Sequence, residues 1–229
     1  MTISIQMYTC NLRPTLMRRA IKSVLDQSYS DFKVVIYNGG SDFDDELKNM
    51  LNDSRIDIFS GPKVNIAEAR NKCCERIGSG HIMTLDDDDW IDPDCLETLV
   101  KHTDDNDLVY GDCVIETGDG RPSFKRFSCS IPYSPDNMIR SCCVFHPFAF
   151  SYDIFNRVGG YDTSFTYAAV YDFLLKVSEI DGMRVKHIPK ILYHYWSAAD
   201  HESTRSDPLK KIFILEAQNK AYARRGTLK

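Results

Sequence analysis

The stretch HIMTLDDDDWIDP, residues 81–93, sets four consecutive carboxylates between an apolar run and a tryptophan. Neighbouring ionised groups repel one another unless water or a cation absorbs the charge. HIMTL reads as a strand, so the four aspartates stand where that strand ends. Working outward, residues 3–8 (ISIQMY) and 32–37 (FKVVIY) form further strands, and the second is the continuous apolar run of a strand buried on both faces. Leu12, Leu16, Met17, Ala20, Ile21, Val24 and Leu25 fall at helical spacing between those two strands. A helix over residues 66–77 separates the strands RIDIF and HIMTL, Pro93 suits the first turn of a helix running to about residue 106, and DLVYGD is the next strand. This rhythm predicts an α/β fold with a parallel sheet and right-handed crossovers. Ligands of such sheets collect at the carboxyl ends of the strands.

The second half departs from that rhythm. Gly118-Asp119-Gly120 predicts a hairpin turn, CCVFHPFAF (142–150) a strand, residues 152–158 a short helix and 170–180 a longer one. An amphipathic helix with a basic end starts at Pro208. A chain of 229 residues, 43% of them hydrophobic, can bury one sizeable core, and we read it as one domain. A formal charge of −5 supplies no general basic field for nucleic acid or an anionic membrane, so any polyanion needs a local site. There is no signal-like N-terminus and no apolar window of bilayer length, which predicts a soluble, cytoplasmic protein. The eight cysteines show no CxxC or Cys/His spacing and read as buried free thiols.

Six phrases follow in order: YTCN, NGGSD, NIAEARN, LDDDDW, GGYDTSF and HYWSAADHESTRS. In that order they resemble the family 2 glycosyltransferases of GT-A type, over about residues 3–206. The resemblance implies a Rossmann-like, mostly parallel sheet flanked by helices. It further implies a nucleotide-sugar-binding half (1–112), a smaller mixed acceptor-side half (113–206) and a C-terminal helix (207–229). The donor it implies is a nucleoside-diphosphate sugar, a UDP-sugar first among them with the base left open. The acceptor, a glycan, lipid-linked, protein or nucleic-acid group, stays open too. Breaking the sugar–phosphate bond builds charge on the leaving group, and Mn²⁺ or Mg²⁺ held by carboxylates would absorb it. By position Asp86 would face the ribose and Asp88 the metal, Asp87 takes the variable place and Asp89 orients the turn. His201 matches the late histidine that can reach the metal or the diphosphate. Tyr8, Thr9 and Arg70 match nucleotide-contacting positions. Asn38 and Gly39 stand where the family usually has two aspartates.

One departure bears on catalysis. Where many members read A-E-D-Y-D, with an acid that deprotonates the acceptor, this chain reads Ala168-Ala169-Val170-Tyr171-Asp172. A positioned base contributes ~10²- to 10⁴-fold in rate. The candidates to replace it are Asp162, His146 and Asp172. Otherwise the acceptor is acidic enough to need little help, or the chain is a catalytically impaired protein that binds a nucleotide sugar without transferring it. A nucleotidyltransferase is disfavoured because YTCNLRPTLMRR lacks the glycines that would cradle a triphosphate. A pure interaction module would have no need of an acidic run at a ligand cleft.

Overall fold

The computed structural model describes residues 2–11, 13–116, 126–127, 131–197 and 208–226. The first half alternates strand and helix: β1 (Ile3–Thr9), α1 (Pro14–Leu25), β2 (Phe32–Asn38), α2 (Asp45–Leu51), β3 (Ile56–Ser60), α3 (Ile66–Ile77) and β4 (His81–Thr84). After β5 (Trp90–Ile91), α4 (Cys95–Thr103) and β6 (Leu108–Glu116) come the elements of the second half. These are β7 (Arg126–Phe127), α5 (Pro135–Arg140), β8 (Phe148–Ser151), α6 (Tyr152–Arg157), α7 (Ala169–Ser178), β9 (Val185–Trp196) and α8 (Pro208–Arg224).

One sheet runs through both halves in the order β3-β2-β1-β4-β8-β6-β9-β5, with β7 paired to β6. β3, β2, β1 and β4 are parallel, β8 runs antiparallel to both β4 and β6, and β6 pairs with β9 in parallel. The fold is therefore α/β and mostly parallel, as predicted. One apolar core joins α1, α2 and α4 to one face of the sheet, and a second joins α3 and α5 to α8 to the other. α1 shows the local logic: Pro14 opens it, and Met17, Ala20, Ile21 and Val24 recur at helical spacing and are buried. α3 begins where the Asn65 side chain accepts from the Glu68 amide at 2.9 Å and stops at Gly78, whose φ of 71° is left-handed.

Three expectations need correction. The strand in CCVFHPFAF is confined to Phe148–Ser151, because Pro147 has no N–H for the ladder and His146 turns its ring onto Phe148 and Tyr193. The helix after Pro93 spans only Cys95–Thr103. The sequence reading also passed over α2, α5, β5 and β7, which are too short for a periodic signal, and the 12-residue β9, whose mixed burial leaves no clean alternation. The predicted Gly118–Gly120 turn lies outside the described residues, although β6 and β7 on either side of it pair antiparallel.

The turn at Gly159-Gly160 ties α6 to α3. Asn71 on α3 accepts from the Tyr161 amide at 2.7 Å and donates to its carbonyl at 2.8 Å. Both glycines have left-handed φ, but a Cβ on Gly160 would stand 2.7 Å from Asn71 Oδ1 whereas one on Gly159 would meet nothing within 4 Å. Gly160→Ala should therefore cost at least ~2 kcal/mol in urea unfolding and Gly159→Ala only ~1 kcal/mol. Equal costs would show that the contact with Asn71 is not what holds this turn.

Candidate active site

β1 and β4 are neighbours, while the chain leaves β1 toward β2 on the other side, so the strand order reverses between them. A crevice opens at the carboxyl ends of strands at such a point. Here a cleft of about 470 Å³ is lined by Tyr8, Cys10 and Asn11 from the end of β1, Arg13 before α1, Ile66 and Arg70 on α3, and Asp86, Asp87 and Asp88 after β4. The acidic run thus faces a cavity rather than open water.

Asp89 points the other way. It is 1% exposed and accepts from Tyr193 Oη at 2.6 Å and from the Trp196 amide at 2.7 Å, both on β9. The Asp86 amide in turn donates to Tyr193 Oη at 3.3 Å. The fourth aspartate therefore orients the turn, and the other three project into the cleft. Burial pushes Asp87 up to about 6, with repulsion from Asp88 and Asp86 adding and a hydrogen bond from Thr9 opposing. Burial and then Asp86 also raise Asp88, against the pull of Arg13. The loop carries more negative charge than its surroundings balance.

Arginines answer part of it. Arg70, with a side chain 6% exposed, donates to Asp86 at 2.8 Å, while its Nη1 is buried without a hydrogen-bond partner among the described residues. Burial opposes the Arg70 charge, but Asp86 and two tyrosines outweigh it and the pKa moves up. Arg13 donates to Asp88 Oδ2 at 2.5 Å. Arg19 donates to the Asp88 carbonyl at 2.9 Å and lies 3.6 Å over the Trp90 ring. Arg13 and Arg19 were missed as site residues, although their place in NLRPTLMRR, just after a strand that ends at the cleft, was the available signal.

The donor set suits a hard divalent cation. Mg²⁺ is usually held by one or two carboxylates together with substrate phosphates and water. Among the described residues no group of three His, Cys, Asp or Glu side chains is already placed to hold a metal ion. The raised pKa values of Asp87 and Asp88 record the charge that a cation would relieve. Asp88, with Asp86 and Asp87 beside it, would hold the ion, and Arg13 would have to give way. His201 lies outside the described residues.

The remaining expected residues divide. Tyr8 lines the cleft, its hydroxyl fixed to the Val64 carbonyl at 2.6 Å and its ring 5.8 Å from that of Tyr37. Thr9 is buried at the end of β1. Asn38 shapes its own loop, accepting from the Gly40 and Ser41 amides and donating to the Ser41 carbonyl. A Cβ on Gly39 would stand 2.9 Å from the Tyr8 ring, so an aspartate there would require the Tyr8 ring to shift. None of the three candidate bases lines the aspartate cleft. Asp162 is engaged by Lys220 and Ser164 and lies at about 2 in spite of its burial. Asp172 is 1% exposed beneath Lys176 and Arg224. His146 lines two cavities bordered by α8, and burial pushes it down to about 4. Trp90 and Trp196 pack around Arg19, and Tyr167 packs on Phe213.

Residues 4–159 match the profile described as Glycosyl transferase family 2. The chain belongs to that family. Hyaluronan synthase of Pasteurella multocida is 26% identical over 98% of this chain and 23% of its own length. Chondroitin synthase of Escherichia coli is 27% identical over 100% of this chain and 33% of its own length. The chain thus spans a quarter to a third of these relatives. A crystal structure of S. aureus TarS 1-349 in complex with UDP-GlcNAc superposes with a TM-score of 0.76 at 15% identity, over 97% of this chain and 66% of that one. The likeness to TarS shows the GT-A type fold.

The depressed pKa of His146 makes a signed prediction. An unfolded chain binds a proton at this position near pH 6.5 and the folded one only near 4, so the contribution of His146 is complete above pH 6.5 and is lost as pH falls toward 4. The stability advantage of the wild type over His146→Gln should shrink between pH 7 and 4.5 in urea titrations. A constant difference would show that the ring is not held neutral by burial.

Proposed function

We propose that this family 2 member is a glycosyltransferase that binds a nucleoside-diphosphate sugar in the cleft between β1, α3 and the aspartate turn. The observation that carries this reading is the cleft at the switch point of the sheet, where Asp86, Asp87 and Asp88 meet Arg70, whose buried Nη1 has no hydrogen-bond partner among the described residues. A buried guanidinium nitrogen without a partner is costly unless an anion or a polar group meets it. A diphosphate oxygen is such a partner. The family match and the UDP and UDP-GlcNAc complexes of TarS favour a UDP-sugar as donor.

In this reading the Tyr8 ring, fixed through its hydroxyl, is a platform for the nucleotide. Arg70 and Arg13 face the diphosphate, and Asp86 holds Arg70 in place. A divalent cation at Asp88 would stabilise the charge that develops on the leaving diphosphate. In this reading transfer is a single displacement: an acceptor that attacks opposite the leaving diphosphate inverts the anomeric carbon. The transferase remains without the usual acid, because the position of that acid is Val170, which lines an apolar cavity.

Calorimetric titration of UDP, GDP and CDP with Mn²⁺ and with EDTA tests the reading. UDP should bind best and only with metal, and Asp88→Ala should remove that binding. Arg70→Ala should weaken UDP at least 10-fold, the loss expected for a charge-assisted contact of ~1.5–3 kcal/mol. Unchanged metal-dependent binding in Asp88→Ala, or no nucleotide binding by the wild type, would overturn the assignment.

A further inference from the structure

Three arginines meet the aspartate turn, and they are held to different degrees. Arg70, with a side chain 6% exposed, is committed to Asp86. Arg19 is fixed on two sides, by the Asp88 carbonyl at 2.9 Å and by the rings of Trp90 and Trp196, which lie 3.6 and 4.7 Å from its Cζ. Arg13 is the N-cap residue of α1, with an extended backbone and a side chain 34% exposed, and it lines the cleft. Its guanidinium donates to Asp88 Oδ2 at 2.5 Å. The carboxylate best placed for an ion is therefore closed by a cation on a side chain that reaches in from solvent. The main chain beneath it does not share that freedom. Arg19 donates to the Asp88 carbonyl, Tyr193 Oη accepts from the Asp86 amide, and Asp89 is clamped by Tyr193 and the Trp196 amide. The Asp88 side chain can change partner while the turn stays in place.

We propose that Arg13 is a built-in competitor of the divalent cation and the residue that couples the cation to the nucleotide: it holds Asp88 until the donor binds and then passes to the diphosphate. This rests on the donor reading above. The planar fork of an arginine matches a carboxylate and a phosphate alike, so one side chain can serve both partners in turn. The energetics set the sign of each effect. Binding an ion alone costs the Arg13–Asp88 pair. Binding a diphosphate alone gains Arg13 but brings the phosphates against three carboxylates. When both bind, Arg13 passes to the diphosphate and Asp88 to the ion, so that neither the aspartate nor the diphosphate is left without a counter-charge. By linkage, each ligand then raises the affinity of the other by the same factor. A contact between ion and phosphate would also couple the two, but it would not make Arg13 oppose the ion. Removing Arg13 should therefore tighten one ligand and loosen the other, whereas loss of a merely structural contact would loosen both.

Two titrations of the full chain at about pH 8 test this. The first uses Mn²⁺ alone, followed by loss of the paramagnetic resonance signal of the free ion, and the second uses UDP at saturating Mn²⁺. Arg13→Gln should bind Mn²⁺ alone about 3- to 5-fold more tightly, the scale of a part-exposed ion pair, and UDP with Mn²⁺ at least ~5-fold more weakly. Arg13→Lys, which keeps a charge at this place, should stay within about 2-fold of the wild type for Mn²⁺ alone. Both variants should unfold in urea in a single transition like that of the wild type, which verifies their fold. Arg19→Gln, which removes the support of the Asp88 carbonyl, should instead weaken Mn²⁺ both with and without UDP. Binding of Mn²⁺ alone that is unchanged, weaker or absent in Arg13→Gln, or an unchanged affinity for UDP with Mn²⁺, would overturn the proposal. A wild type that binds no UDP with Mn²⁺ would overturn the donor reading, whatever Arg13→Gln does to Mn²⁺ alone.

Discussion

The carboxylate of Asp89 is buried between two donors of β9, the Tyr193 hydroxyl and the Trp196 amide, and that clamp fixes the direction of everything before it in the turn. Four like charges in sequence would otherwise spread toward water. Because one is drawn inward and hydrogen-bonded, the backbone of residues 86–88 is held against β9 and three side chains are left facing the cleft. The strand that supplies the clamp comes from the second half of the chain, a hundred residues later in sequence. The acidic loop is thus held by contacts that come from the second half of the chain.

Charge balance then orders the rest of the cleft. Asp86 is matched by the buried Arg70, and Asp88 by Arg13 from the start of α1. Asp87 has a weaker answer, a hydrogen bond from Thr9, and stays near 6. This is a site with deficit on both signs: carboxylates that a cation would relieve and a guanidinium nitrogen that an anion would satisfy. A diphosphate with its counter-ion meets both demands at once.

Much of this was legible in the sequence, because the signals were local and periodic. FKVVIY could be read as a central parallel strand, and residues 66–77 as a helix with the same limits as α3, since burial on both faces and a capped amphipathic stripe leave direct traces. A role for Asp89 in orienting the turn could be expected from the motif, but its inward direction and its partners Tyr193 and Trp196 could not, since nothing local marks a contact across more than a hundred residues. The place of Arg13 just after β1 was legible, but its pairing with Asp88 was not, because it depends on β1 and β4 being neighbours. CCVFHPFAF misled because an apolar run can line a cavity as well as form a strand, and hydrophobicity alone does not separate the two. The loss of the acid at Val170 was visible at once, whereas the apolar character of its surroundings, which hold no carboxylate among the described residues that line its cavity, emerged only from the packing of α8 over it.

The most direct test of the central claim is a crystal structure of the chain grown with UDP and Mn²⁺. The account predicts the nucleotide in the cleft beside Tyr8, a diphosphate oxygen on Nη1 of Arg70, the ion at Asp88 and Arg13 moved from its position on that carboxylate. Nucleotide bound elsewhere, or a diphosphate that does not contact Nη1 of Arg70 and leaves Arg13 still on Asp88, would contradict it.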